Sequence, residues 1–163
     1  MSIKVGDKFP QGFLAFYDSK SIKTINTDDI LKNKRVVLFG MPGAFTPTCS
    51  QYHIPSILKQ IKNYKKKGID DILCLVVNDI YVTSIWAKQT GATQAGLKIF
   101  SDPSSVLVKK IGMSFNAPAI GLLDRSIRFC FILNNGIVEQ IFKETTTGTC
   151  DITSGENILA SIK

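Results

Sequence analysis

Cys49 is the residue whose surroundings most invite chemistry. It stands near the end of Gly40-Met41-Pro42-Gly43-Ala44-Phe45-Thr46-Pro47-Thr48-Cys49-Ser50. A thiol is a useful nucleophile only as its thiolate, and a free cysteine with a pKa of about 8.5 is mostly protonated at neutral pH. A run of strand formers, residues 35–39, precedes this stretch, and a segment of helical spacing follows it. The chain is therefore expected to turn sharply and deliver Cys49 into the first turn of a helix. Unpaired N–H groups and the positive end of the helix dipole favour negative charge there. Pro42 and Pro47 stiffen the loop, because the proline ring fixes φ. The pattern predicts a reactive rather than a structural cysteine.

The other candidates read less sharply when taken singly. None of the four cysteines forms a C-x-x-C, so the local signatures of a zinc ribbon and of a thioredoxin-type dithiol are missing. Cys74 and Cys130 lie in apolar, strand-like runs, where a small buried hydrophobe is expected. Cys49 and Cys150 lie beside turn and polar residues and are expected to be the accessible pair. His53 is four residues after Cys49, on one helix face, where it fits a general base or a structural residue. Thr46 alone fits a helix cap. Arg128 alone fits a surface or paired arginine.

The elements that must position these residues follow from periodicity. Two short apolar stretches within residues 12–25, separated by Asp18-Ser19-Lys20, predict a β-hairpin. Residues 27–31 predict a helical turn capped by the Thr27 hydroxyl. The run 35–39 is apolar on both faces, as in a central strand covered on both sides. After Cys49, Ile54, Ile57, Leu58 and Ile61 follow helical spacing, with Pro55 expected to kink the helix and Gly68 to end it. A second doubly buried strand is predicted over 72–77, then a helix opened by Asn78-Asp79 and running to Gly91. A short strand over 97–100 and a helix from Ser101-Asp102-Pro103 to about residue 111 come next. Residues 112–126 show no clear period and are expected to be mostly loop. Strands over 128–133 and 137–142 flank Asn134-Asn135-Gly136, a strong hairpin signal. A turn-rich stretch, 145–155, leads to a last helix over 156–162. The sum is an α/β fold with a mixed central sheet flanked by helices, in a single domain spanning 1–163.

Composition limits the function classes. With 163 residues, 44% of them hydrophobic and 20% charged, the chain can bury a sizeable core. No apolar run approaches the roughly 20 residues of a membrane-spanning helix, so no membrane partner is expected. The opening residues lack an apolar signal segment, which points to the cytoplasm. The net charge of +7 is concentrated in Lys59, Lys62, Lys65, Lys66 and Lys67, on the polar side and tail of one predicted helix. That pattern fits a solvated face, and no aromatic residues interleave it as nucleic-acid binding requires.

Taken together, Pro42-x-x-x-Thr46-x-x-Cys49 resembles the active-site signature of the peroxiredoxins, thiol peroxidases on a thioredoxin-like fold. The longer Pro-Gly-Ala-Phe-Thr-Pro-Thr-Cys-Ser, with His53-Ile54-Pro55 after it, is similar to the type-five subgroup, called type two in plants. The similarity extends over Lys4-Val5-Gly6-Asp7, Val76-Val77-Asn78-Asp79 with Trp86, Ser101-Asp102-Pro103, and Arg125-Ser126-Ile127-Arg128-Phe129.

The resemblance implies a catalytic set of Cys49, Thr46, Arg128 and Pro42. Cys49 would attack a hydroperoxide and become a sulfenic acid. Arg128 would favour the thiolate and hold peroxide oxygen. Thr46 would orient the reactants through its hydroxyl, and Pro42 would shield the sulfur. Phe45, Pro47 and Thr48 would line the substrate pocket, with Phe115 a further lining or core residue and Arg125 a polar support. The resemblance implies no metal or other cofactor. It implies reduction by glutathione with glutaredoxin, or by thioredoxin, and a homodimer. Cys150 and Cys74 stand where different relatives carry a resolving cysteine, so an internal disulfide and a one-cysteine route both remain open. Two other readings compete: a cysteine hydrolase using Cys49 and His53, and a non-enzymatic thioredoxin-like module whose basic helix meets an anionic partner.

Overall fold

The structure, a computed structural model, describes residues 2–18 and 20–163. Met1 and Ser19, the latter within the expected hairpin turn, lie outside the described residues. The chain opens on the antiparallel pair β1 (Phe13–Tyr17) and β2 (Ile22–Asn26). Helix α1 (Thr27–Leu31) is capped by Asn26, whose Oδ1 accepts from the Asp28 N–H. Thr27 is not the cap. Its hydroxyl accepts from Gly12 N–H and donates to Pro10 O, tying the base of the hairpin instead.

Strand β3 (Arg35–Gly40) leads through a loop to a π-helical turn (Cys49–His53) and then α2 (Ile54–Lys66). The expected single kinked helix is therefore two pieces. Pro55 has no N–H to offer to the carbonyl four residues back, and it falls in the first turn of α2, where none is required. The wider π turn takes up the mismatch just before it. Strand β4 (Asp71–Val76), α3 (Ile80–Gln89), a short α4 (Ala92–Ala95) and β5 (Lys98–Ser101) follow.

Two further expectations need correction. Helix α5 spans Val106–Lys110 rather than starting near Ser101. Ser105 holds a left-handed φ of 57°, which blocks an earlier start, and Asp102 reaches forward to accept from the Val108 N–H. Residues 112–126 are not mainly loop: β6 (Ser114–Ala117) pairs antiparallel with β7 (Leu122–Ser126) around a 3-10 turn, Pro118–Ile120. This hairpin is held by backbone pairing and is nowhere apolar enough to show a period. Strands β8 (Phe129–Asn134) and β9 (Ile137–Lys143) and helix α6 (Gly155–Ser161) complete the chain.

Seven strands form one mixed sheet in the order β2-β1-β5-β4-β3-β8-β9, with β3, β4 and β5 parallel. Because strand side chains alternate, β3 feeds both faces. Val37 and Phe39 join Ile57 of α2, Trp86 of α3 and Ile158 of α6. Val36 and Leu38 join Ile30 of α1 and Leu107 and Val108 of α5. Helix α6 also receives Lys67, whose Nζ donates to the carbonyls of Leu159 and Ile162, so one lysine of the basic tail has a structural task.

The register sets the site. Gly40 ends β3 opposite Phe129, the first residue of β8. The loop that leaves β3 therefore starts beside Arg128. A side chain at Gly40 would place Cβ 2.0 Å from the Phe129 ring, so the ring lies across this position only because glycine leaves it open.

Gly155 lets α6 approach α2 in the same way, and here the obstacle is backbone: an added Cβ would lie 2.3 Å from Ser56 O. Gly155→Ala is expected to lower unfolding stability by about 1–3 kcal/mol through forced separation of the helices. Urea denaturation checks this, and an unchanged midpoint would contradict it.

Candidate active site

The loop 41–46 that leads to Cys49 lies in no helix or strand, so it is pinned from several sides. Ala44 N–H donates to Asn78 Oδ1 at 2.7 Å, just beyond β4. Arg125 Nη1 donates to Pro42 O at 3.4 Å, the supporting contact expected of it. The Thr46 hydroxyl donates to Gly43 O at 2.7 Å, and Thr46 O accepts from Ser50 N–H. Ser50 Oγ in turn accepts from the Trp86 indole at 2.9 Å. Phe45 sits at φ 61°, a left-handed backbone for a bulky residue.

These constraints bring Cys49, His53 and Arg128 together in the interior. Cys49 and His53 are fully buried and Arg128 is 1% exposed. Cys49 is thus not accessible, contrary to what its polar neighbours suggested; the π turn points it inward, and the core takes it as a member. Arg128 Nη2 donates to Cys49 Sγ at 3.4 Å and to Thr147 O at 2.9 Å. Arg128 Nη1 meets His53 Nδ1 at 2.9 Å, and His53 Nε2 meets Thr153 O at 2.9 Å. Arginine has no acceptor and a carbonyl has no donor, so Nδ1 must carry the lone pair and Nε2 the hydrogen.

This arrangement defines what His53 does. Burial, then the Arg128 charge, pushes its pKa down to about 3, against the smaller opposing pull of the Thr153 carbonyl. The ring is neutral at physiological pH and both nitrogens are engaged. Neither is free for a thiol proton, so the geometry of a Cys49–His53 hydrolase dyad is not formed.

Arg128 Nε is the buried side-chain polar atom left without a partner among the described residues. It is a charged donor, fully desolvated, within the same guanidinium that touches the sulfur. Such a donor would be satisfied by an oxygen acceptor admitted to it.

The remaining expected residues are more scattered. Pro42 is buried in the loop. Phe45 is 54% exposed and Pro47 is also exposed, so in the single chain they form the outer surface of the loop rather than the walls of an enclosed cavity. Thr48 Oγ1 donates to Gly148 O at 3.0 Å. Phe115 lies half-buried on β6, level with Arg125. Cys74 and Cys130 both flank Phe39 in the sheet and are fully buried, as expected of structural thiols. Burial pushes both thiols well up, with Cys49 adding to the effect at Cys74 and Arg128 opposing it. Cys150 is half-buried in the loop after β9, and burial raises its pKa to about 11, against a lowering by Arg128.

Residue types gave no signal for the carbonyls of Thr147, Gly148 and Thr153, because every residue has a carbonyl. Asn78 and Ser50 were visible in the sequence only as turn and helix residues.

The redoxin family model matches residues 4–159. Peroxiredoxin-2C of Arabidopsis thaliana is 35% identical over 161 residues, covering 98% of this chain and 98% of its own length. A peroxiredoxin of Rhizobium etli is 39% identical over 143 residues, covering 84% of this chain and 79% of that protein. Among solved structures, reduced Prx3 from Vibrio vulnificus in complex with H2O2 superposes with a TM-score of 0.92 at 28% identity, covering 99% of each chain. The fold is thioredoxin-like.

The neutral His53 makes acid a specific stress. Below its ordinary pKa of 6.5 the unfolded chain gains a proton at this ring, which the folded chain refuses until about pH 3. Stability is therefore expected to fall with decreasing pH across that window, by about 1.4 kcal/mol per pH unit from this group. His53→Gln should remove that part of the slope. Urea unfolding of both proteins between about pH 7 and pH 4.5 checks it, and parallel curves would count against it.

Proposed function

We propose a mechanism on one premise: this chain belongs to the redoxin family and is a peroxiredoxin, a thiol-dependent peroxidase. Cys49 attacks, as thiolate, the terminal oxygen of a hydroperoxide. The S–O bond forms as the O–O bond breaks, the leaving oxygen takes a proton, and the cysteine becomes a sulfenic acid. The observation that carries this reading is the Arg128 guanidinium. One N–H reaches the sulfur at 3.4 Å while Nε has no partner among the described residues. A fixed positive charge in a water-poor setting favours the anionic sulfur, and the free N–H suits the oxygen on which charge develops.

Thr46 fits the orienting role. Its hydrogen is directed to Gly43 O, which leaves its lone pairs to accept from a peroxide O–H. Pro42 is buried in the same loop, suited to shielding the sulfur. The full burial of Cys49 favours small peroxides, and the Vibrio vulnificus neighbour was solved with H2O2. Phe45, Pro47 and Thr48 complete the approach to the pocket in this reading.

Reduction of the sulfenic acid by an external thiol, from glutathione with glutaredoxin or from thioredoxin, is the reading we adopt. A reducing compartment such as the cytoplasm supplies these thiols. Cys74 fits poorly as an internal partner, since it is fixed in the central strand β4. Cys150 is a second reading, favoured by its loop, which touches the active-site turn through Gly148 and Thr48.

Cys49→Ser is expected to abolish thiol-dependent peroxide consumption, and Arg128→Met to lower kcat/KM by about 10²–10³-fold with the fold intact by circular dichroism. Activity persisting in Cys49→Ser would end the assignment. Intact mass after one equivalent of peroxide separates the routes: a loss of two hydrogens supports Cys150, and an adduct with added glutathione supports the external thiol.

We also infer a homodimer whose contact includes exposed Phe45 of the Cys49 loop, with Tyr81 and Ile85 of α3 and Ile120 and Leu123 of the β6–β7 hairpin as further exposed apolar candidates. Large apolar side chains left exposed suit a self-complementary contact. Light scattering should return twice the 17.9 kDa chain mass, and Phe45→Glu should shift it toward the monomer. A wild-type protein monomeric at micromolar concentration would remove this reading.

A further inference from the structure

We infer that Glu144 is a positioning residue for the chemistry at Cys49: it folds the loop 144–153 into a strap whose carbonyls hold Arg128, His53 and Thr48. This rests on Cys49 being the reacting sulfur, as proposed above. Nothing in the sequence pattern singles out Glu144, and it touches none of the three side chains it would govern.

The contacts form a continuous path. Glu144 leaves the end of β9 with its N–H donating to Arg128 O at 3.1 Å. Its carboxylate then gathers the far end of the loop. Oε1 accepts from Asp151 N–H at 2.8 Å, Thr153 N–H at 2.8 Å and the Thr153 hydroxyl at 3.0 Å. Oε2 accepts from the Thr149 hydroxyl at 3.1 Å. Closing the loop this way presents three carbonyls to the site: Thr147 O to Arg128 Nη2, Gly148 O to the Thr48 hydroxyl, and Thr153 O to His53 Nε2. From the carboxylate, the route to the sulfur runs through Thr153, His53 and Arg128.

The chemistry explains why one carboxylate matters to so long a chain of contacts. Residues 145–148 are exposed and lie in no helix or strand, so no ladder of backbone bonds fixes their path. Thr153 is fully buried, and both its N–H and its hydroxyl depend on Glu144. Losing that acceptor would leave two buried donors unpaired, and the loop would have to move to satisfy them. Moving it takes Thr153 O from His53 and Thr147 O from Arg128. Nη2 divides its hydrogens between Thr147 O and Cys49 Sγ, and Nη1 is aimed by His53. The guanidinium plane would then be free to turn away from the sulfur.

The test compares Glu144→Ala, Glu144→Gln and Glu144→Asp by single-turnover oxidation of Cys49 with hydrogen peroxide. Glu144→Ala is expected to be about 10- to 100-fold slower. Glutamine keeps the reach and an acceptor oxygen, so Glu144→Gln should stay within about threefold of wild type. Aspartate keeps the charge but is one methylene short, so Glu144→Asp should be slow. Because the effect travels through Arg128, adding Glu144→Ala to Arg128→Met should change the rate less than about twofold. Amide exchange, read without peroxide, should rise at Asp151 and Thr153 in Glu144→Ala while β3 and β4 stay protected. Wild-type rates in Glu144→Ala, multiplicative losses in the double variant, or a fast Glu144→Asp beside a slow Glu144→Gln would each overturn the inference. A wild-type protein inert to peroxide would instead sink the reading of Cys49, while the exchange pattern would still decide whether Glu144 holds the strap.

Discussion

The structure depends on a guanidinium taken out of water. Arg128 is 1% exposed, and among the described residues its hydrogen-bond partners are the Cys49 sulfur, an imidazole nitrogen and a carbonyl. No carboxylate is placed at ion-pair distance to balance it among the described residues. A buried cation without a counter-charge is costly unless surrounding dipoles and partners compensate it. That constraint accounts for the rest of the site. The imidazole must remain neutral, since a second cation there would face the first.

The fold meets this constraint with long-range pairing. The antiparallel register of β3 and β8 sets Arg128 beside the loop that leaves Gly40. The π turn directs both Cys49 and His53 inward, where a straight run into α2 would have required an N–H that Pro55 lacks. The loop after β9 then closes from the other side with backbone oxygens. Turns and loops thus carry the candidate site, while the sheet and helices fix where those segments begin and end.

The same interior separates readings that the residue types alone leave open. A cysteine and a histidine four residues apart on one helical segment suggest a nucleophile and its base, yet the ring has both nitrogens committed elsewhere. The basic tail of α2 suggests an anionic partner, yet Lys67 caps α6 and Lys65 reaches the Asp70 carbonyl. Both nitrogens of His53, and two of the tail lysines, are already engaged within the fold.

Much of this was legible in the chain itself. Alternating and doubly apolar runs marked the hairpins and the central strands, because burial on one or two faces leaves a period in the residue types. Pro42, Thr46, Cys49 and Arg128 could be named because their side chains are chemically distinctive and their spacing is local or family-like. The β6–β7 hairpin and the true start of α5 were hidden, since backbone pairing, a left-handed Ser105 and a cap reaching from Asp102 leave no periodic trace. The burial of Cys49, the tautomer of His53 and the strap drawn in by Glu144 were decided by tertiary structure alone. They depend on carbonyls that every residue possesses and on which distant segment comes to lie over them, and neither is encoded in the identity of the residues they hold.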